Sequence, residues 1–319
     1  MNRVKTLAII GAGTMGHSIA AAALQHGVSV RLIDVSAPAL ETARRKIQSY
    51  LASAAGKGGG KGGAVPGHLA GVLETCMEMA AGVTGADMVI EAVPEKLDLK
   101  KEIFAQLDKL CPPSVILATN TSGLPITAIA SAAARPERVL GTHFYMPAYL
   151  IPLVEVVCSD YTSPDVAGDT VAFLQSIGRK PVLVKKDIPG FIGNRLQHAI
   201  AREAISLLQK GIASAQDIDT VARYTLGLRF AHTGPLEQRD LNGLDVHLDV
   251  AEYLYQSLEN CTQPLAILRE KVESGCLGLK TGRGFYDWEG RTREEVTARK
   301  NEQMSKVLEL MLSWEKESG

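Results

Sequence analysis

Short apolar runs alternate with longer amphipathic stretches through the first half of the chain. Runs at about 5–10, 28–33, 87–93, 115–119, 139–143 and 152–157 are brief and nearly continuous in apolar character, which predicts strands in a sheet covered on both faces. Between several of them lie helix-like stretches, including His17–Gln25, 96–110 and 163–177. Strand and helix taking turns in this way predict a doubly wound α/β sheet. Past Lys185 the pattern changes. Residues 190–210 place Phe191, Leu196, Ile200, Ala204, Leu207 and Leu208 at helical spacing and end at Lys210-Gly211, a helix-stop signal. Ser214 can cap the next helix, and helical runs follow at about 245–257 and 264–273. No strand of comparable quality appears there, so an all-α C-terminal domain is expected.

The expected boundaries are 1–186 for the α/β domain and 187–319 for the helical one, with Lys186-Asp187-Ile188-Pro189-Gly190 as the hinge. Gly56-Lys-Gly-Gly-Gly-Lys-Gly-Gly63 interrupts a long helical arm. It reads either as a solvated loop or as a segment whose Lys57 and Lys61 close over a phosphorylated substrate tail. From Arg293 to Trp314, Met304, Val307, Leu308, Met311 and Leu312 share one helix face, suited to packing within the subunit or to a subunit contact.

Composition narrows the class. The 319 residues carry 34 Lys and Arg against 35 Asp and Glu, so no basic excess points to nucleic acid. The five cysteines are scattered, odd in number and never in a CxxC pair, the usage of a reduced protein with no legible metal site. No apolar run of membrane-spanning length is present, and the N-terminal run does not read as a signal peptide. A cytoplasmic globular protein is expected.

The first strand, Leu7 to Ile10, runs into Gly11-x-Gly13-x-x-Gly16 and then a helix, and the second ends at Asp34. Gly11 permits a sharp turn off the strand. Gly13 removes a side chain where backbone N–H groups approach a pyrophosphate, with Thr14 and Met15 beside it, and Gly16 lets the helix pack close. Asp34 can accept both hydroxyls of an adenosine ribose and would repel a 2′-phosphate. The cofactor expected is NAD, on a Rossmann-like sheet.

Two further residues suggest the chemistry. His143 follows the strand from Val139, and Glu155 lies inside Pro152-Leu-Val-Glu-Val-Val157, apolar on both faces. A carboxylate there is costly to bury unless something pairs with it. A strand returning through Pro147 would set the two side by side, with Glu155 holding one ring nitrogen and the other free to take a proton. Asn120-Thr-Ser122 ends another strand, where Ser122 could hold a reacting oxygen or serve as a cap. Asn194, early in the first helix of the second domain, could polarise the same oxygen or cap the helix.

These segments resemble the L-3-hydroxyacyl-CoA dehydrogenase family over nearly the full length. The matches are Ile10–Gly16, Glu91-Ala-Val-Pro-Glu95 with Lys100, Asn120-Thr-Ser122, Gly141-Thr-His143, Leu153–Val156, Pro189–Arg195 and Lys280–Tyr286. The resemblance implies that His143 and Glu155 are the catalytic pair and that Ser122 and Asn194 bind the substrate oxygen. It also implies that Ala92, Glu95, Lys100 and Asn120 join Asp34 around NAD. A homodimer in fatty acid metabolism follows from it, with neither nucleic acid nor membrane as partner. The implied reaction is NAD-dependent oxidation of a 3-hydroxyl on an acyl-CoA or a related 3-hydroxy acid.

Ala148–Glu155, Leu226-Gly-Leu-Arg-Phe-Ala231 and Gly234-Pro-Leu236 are most similar to the lambda-crystallin, L-gulonate and carnitine dehydrogenase branch. Those proteins oxidise free hydroxy acids, and Arg229 would then clamp a free carboxylate. Asp240–Asp245 instead resembles the acyl-CoA branch. One departure stands out: His143-Phe-Tyr-Met-Pro147 has Met146 where many members carry Asn. Met146 cannot make an amide's hydrogen bonds, which leaves open a non-catalytic NAD-binding structural protein.

Overall fold

The computed structural model describes residues 4–56 and 71–317, so Lys57, Lys61 and the rest of the glycine–lysine segment lie outside the described residues. The chain forms two compact units, Met1–Arg195 and Leu196–Gly319.

Unit one is built on eight strands: β1 (Thr6–Ile10), β2 (Ser29–Ile33), β3 (Leu73–Cys76), β4 (Met88–Glu91), β5 (Ile116–Thr119), β6 (Val139–Phe144), β7 (Leu153–Cys158) and β8 (Lys180–Val184). They form one sheet in the order β3-β2-β1-β4-β5-β6-β7-β8. Every neighbouring pair is parallel except β6 and β7, which run antiparallel. The helices are α1 (Thr14–Leu24), α2 (Ala37–Gly56), α3 (Met79–Val83), α4 (Leu97–Leu110), α5 (Ile126–Ala130) and α6 (Pro164–Ser176), and α7 (Gly193–Gln209) starts in this unit.

The continuous apolar strands are buried on both faces, and strand alternation sorts their side chains into two cores. Leu7 and Ile9 pack with Ile19, Leu24, Leu40 and Ile47 of α1 and α2. Ala8 and Ile10 pack with Ile103, Phe104 and Leu107 of α4 and with Ile129 of α5. Full burial of a side chain such as Phe104 contributes roughly 2–3 kcal/mol. Ser163 caps α6, its side chain accepting from the Val166 N–H, and Pro164 opens the first turn.

Two strands go beyond the sequence expectation. Neither β3 (Leu-Glu-Thr-Cys) nor β8 (Lys-Pro-Val-Leu-Val) is predicted, and both are edge strands. An edge strand needs only one apolar face, and Pro181 is tolerated there because one side of the ladder is unpaired.

Unit two contains the rest of α7, then α8 (Ala215–Val221), a π-helical turn (Ala222–Gly227), α9 (Leu228–Phe230), α10 (Pro235–Asn242), α11 (Leu244–Leu254), α12 (Ala266–Glu273) and α13 (Arg293–Glu317). Gly211 ends α7 at φ +68°, and the Ser214 side chain caps α8 by accepting from the Asp217 N–H, both at the expected positions. Among its described residues only Ser206 and Thr233 are buried, and large apolar side chains including Leu228 and Tyr255 are about 70% exposed (68% and 71%). No helix among the described residues is long and apolar enough to cross a membrane.

Candidate active site

The glycine turn stands at the carboxyl end of β1 and opens a cavity of about 820 Å³ that also reaches the ends of β2, β4 and β5. Each glycine has a separate role. Gly11 is held at φ +102°, and a Cβ there would come within 2.6 Å of the Ala92 carbonyl oxygen. A Cβ on Gly16 would fall 1.7 Å from the Gly11 carbonyl oxygen, so only glycine lets α1 start this close to the strand. Gly13 differs: a Cβ there meets nothing within 4 Å, yet Gly13 lines the cavity. Its missing side chain keeps open the space before the N-terminus of α1, where a phosphate would be received. The loop is pinned from beneath by His17, whose Nδ1–H donates to the Gly13 carbonyl at 2.7 Å. Burial lowers the His17 pKa, against the opposing pull of that carbonyl.

Asp34 lines the same cavity with both carboxylate oxygens oriented. Oδ2 accepts from the Ala12 N–H at 2.8 Å and Oδ1 from the Ser36 N–H at 2.9 Å. Thr14, Met15, Ala92, Glu95, Asn120 and Ser122 also border it. An open phosphate seat, a fixed acid at the end of β2 and an apolar wall that includes Val35 and Met79 suit an adenine dinucleotide. Gly13→Ala therefore isolates the cofactor seat. Its unfolding midpoint should match wild type, while NAD affinity measured by titration calorimetry falls about tenfold or more, ~1.4 kcal/mol of binding free energy. Unchanged affinity would place the phosphates elsewhere.

Lys100 departs from the expectation that it lines the NAD site. It is fully buried, with Nζ donating to Glu91 Oε1 at 2.7 Å and lying 3.5 Å from Glu95 Oε2. Glu91 is saturated as well, accepting from the Val93 N–H through Oε1 and the Thr119 hydroxyl through Oε2, each at 2.7 Å. Placed at the fourth position of α4, Lys100 points inward, and its charge is offset by two carboxylates. Glu95 itself lines the cavity, and its Oε1 accepts from the Thr121 hydroxyl at 2.5 Å and the Ser122 N–H at 2.9 Å.

On the far side of β5, the antiparallel pairing of β6 and β7 sets His143 directly opposite Glu155. The His143 Nδ1–H donates to Glu155 Oε2 at 2.7 Å, and both residues are buried. Glu155 receives three more hydrogen bonds: Tyr145 O–H to Oε2 at 2.8 Å, and the Ile192 and Gly193 N–H groups to Oε1 at 2.8 and 2.9 Å. Burial alone would raise the Glu155 pKa, but these four donors overcome it and hold the group down at about 2. Phe191, buried at φ +51°, places its ring edge-on to the imidazole at 5.6 Å.

Ser122 and Asn194 are brought together, with Asn194 Nδ2 donating to the Ser122 carbonyl at 2.8 Å. Asn120 links the cavity to the His143 strand, since its Oδ1 accepts from the Phe144 N–H at 2.9 Å. Nδ2 is then the group Asn120 can offer a ligand. Met146 is half-exposed. Arg229 belongs to unit two, where its Nε–H donates to the Thr225 carbonyl one turn earlier. Tyr145 is the functional neighbour that sequence reasoning missed. A signal existed, because two residues beyond His143 is the spacing at which side chains return to one face of an extended strand.

Residues 6–188 match the family model described as 3-hydroxyacyl-CoA dehydrogenase, NAD binding domain, and residues 190–288 match the model for its C-terminal domain. The 5-formyl-3-hydroxy-2-methylpyridine 4-carboxylate 5-dehydrogenase of Mesorhizobium japonicum is 34% identical over 305 residues, covering 96% of each chain. A probable 3-hydroxybutyryl-CoA dehydrogenase of Bacillus subtilis is 39% identical over 291 residues, covering 91% of this chain and 99% of the relative. Among solved structures, a 5-formyl-3-hydroxy-2-methylpyridine 4-carboxylic acid 5-dehydrogenase, described as an NAD+-dependent dismutase, superposes with a TM-score of 0.89 at 32% identity, covering 97% of this chain and 98% of that one. With both domain models matched in order along the chain, the protein belongs to the 3-hydroxyacyl-CoA dehydrogenase family of NAD-dependent oxidoreductases.

Proposed function

We propose that this chain oxidises the 3-hydroxyl of a 3-hydroxyacyl-CoA or a related 3-hydroxy acid, with His143 as general base and Glu155 as its partner. The observation that carries the reading is the 2.7 Å bond from His143 Nδ1–H to a carboxylate that four donors keep ionised. With Nδ1 committed, Nε2 is the nitrogen that takes the hydroxyl proton, and Glu155 stabilises the imidazolium that forms. NAD seated on the glycine turn would supply a hydride acceptor for the carbinol carbon. Gly11, Gly13 and Gly16 shape its phosphate seat, and Asp34 meets the ribose. Thr14, Met15, Ala92, Glu95 and Asn120 form the walls, with Lys100 holding Glu95 in place. Ser122 and Asn194, already joined by a hydrogen bond, orient the reacting oxygen.

A free-acid substrate is the second reading. It is favoured by a relative named for a pyridine carboxylate that matches nearly the whole of both chains, and by Arg229, whose guanidinium suits a carboxylate. Paired NADH-formation assays with 3-hydroxybutyryl-CoA, 3-hydroxybutyrate, L-gulonate and carnitine decide between the readings. On the free-acid reading, Arg229→Ala should raise KM for the acid about tenfold and leave kcat within about twofold, the loss of one charge-assisted contact. Thioester turnover alone, insensitive to Arg229→Ala, would assign the acyl-CoA substrate. No turnover on any 3-hydroxy substrate would overturn the enzymatic proposal.

A homodimer is part of this proposal, supported by unit two. A helical unit with so few buried residues and so much exposed apolar surface gains from covering that surface with a second copy. Neither nucleic acid nor membrane is assigned as a partner, and a cytoplasmic setting remains our reading of the scattered cysteines.

A further inference from the structure

Three groups converge on Glu155 besides His143, and one of them is a side chain that the proton transfer described above does not use. Tyr145 lies just past the end of β6, with its ring 4.5 Å from the imidazole and its O–H donating to Glu155 Oε2 at 2.8 Å. That oxygen is the same one that receives His143 Nδ1–H. The phenol reaches it because residue 193 has no side chain. A Cβ on Gly193 would lie 1.8 Å from the Tyr145 hydroxyl oxygen and 2.7 Å from Cζ. The same Gly193 turns its N–H onto the other carboxylate oxygen.

We propose that Tyr145 is a positioning residue for the His143–Glu155 pair, competing with the imidazole for one carboxylate oxygen and so setting how strongly Glu155 pulls on it. This rests on the reading of His143 as general base. Two donors on one oxygen fix its direction, so the imidazole plane cannot swing with a rotating carboxylate. They also divide its charge. With the phenol in place, part of the negative charge on Oε2 is already neutralised by a hydrogen bond, and the imidazolium is stabilised less than a lone carboxylate would allow. The phenol stays protonated throughout the working range, because burial and the adjacent Glu155 both raise its pKa.

The sign of the effect follows. Removing the hydroxyl leaves Oε2 to His143 alone, the protonated imidazole gains, and the base is silenced at higher pH. In Tyr145→Phe the acid limb of the kcat/KM profile for the oxidative direction should therefore move upward by about half a unit. The ring contact is retained and KM for NAD should stay within about twofold. Gly193→Ala should move the limb the same way by pushing the phenol off Glu155. Adding it to Tyr145→Phe should move the limb no further, since no hydroxyl is then left on Glu155 to displace. An acid limb that stays in place or moves downward in Tyr145→Phe overturns the proposal, whatever happens to kcat or thermal stability. His143→Gln separates the two levels. If it retains turnover, the general-base reading falls. If it is inactive while the Tyr145→Phe limb is unmoved, only the positioning role falls.

Discussion

His143→Gln is expected to lower kcat on the order of 10²–10⁴-fold while leaving NAD affinity within about twofold of wild type. Glutamine has similar bulk and can still donate to Glu155, but it cannot take a proton at neutral pH. His143 is not among the residues lining the cofactor cavity, although the next residue in its strand, Phe144, donates its N–H to Asn120, which does line it. The two readouts should therefore part company. Stopped-flow or steady-state NADH formation gives the first, and calorimetric titration with NAD gives the second. A variant that turns over within tenfold of wild type would remove His143 from the chemistry. Concerted loss of binding and turnover would mean that the substitution disturbs the β6–β7 pair instead.

The second large effect is expected at Glu155 and is thermodynamic as well as catalytic. Its carboxyl is buried and held at about 2, against an ordinary 4.5. A group depressed in the folded state adds stability that is complete above its unfolded value and is lost as pH falls through the folded one. The window here is pH 4.5 down to 2. The full contribution is about 3 kcal/mol, of which about 2 should vanish between pH 5 and pH 3. Glu155→Gln removes the titration. Denaturant midpoints of the two proteins should thus lie far apart at pH 5 and approach each other at pH 3. The variant should also lose at least about a hundredfold in kcat, because a neutral amide cannot stabilise the imidazolium. A gap independent of pH would mean that Glu155 is not ionised by its surroundings in the way its four donors require.

Much of this site was legible because strand chemistry is local. The glycine turn, the acid at the end of β2 and the carboxylate in an apolar strand each violate the pattern around them, and each violation has one inexpensive explanation. Antiparallel pairing of His143 with Glu155 could be anticipated because a short connection through Pro147 allows little else. What escaped was non-local. β3 and β8 carry weak apolar signals because edge strands are covered on fewer sides. The resemblance places Lys100 at the NAD site, whereas its pairing with Glu91, nine residues back, and with Glu95 accounts for its burial. Tyr145 looked like one more aromatic in His143-Phe-Tyr-Met-Pro147, where attention goes to Met146. Its meaning depends on Gly193, which no spacing rule connects to it.

The fit between Gly193 and the tyrosine hydroxyl also constrains how this protein can drift. A Cβ at 193 would meet Cζ of the ring as well as the hydroxyl oxygen, so a side chain enters there only if the whole ring moves aside, not merely if the hydroxyl is lost. The two sites should therefore change as a pair, any side chain at 193 accompanied by a smaller or displaced residue at 145, rather than as two independent choices.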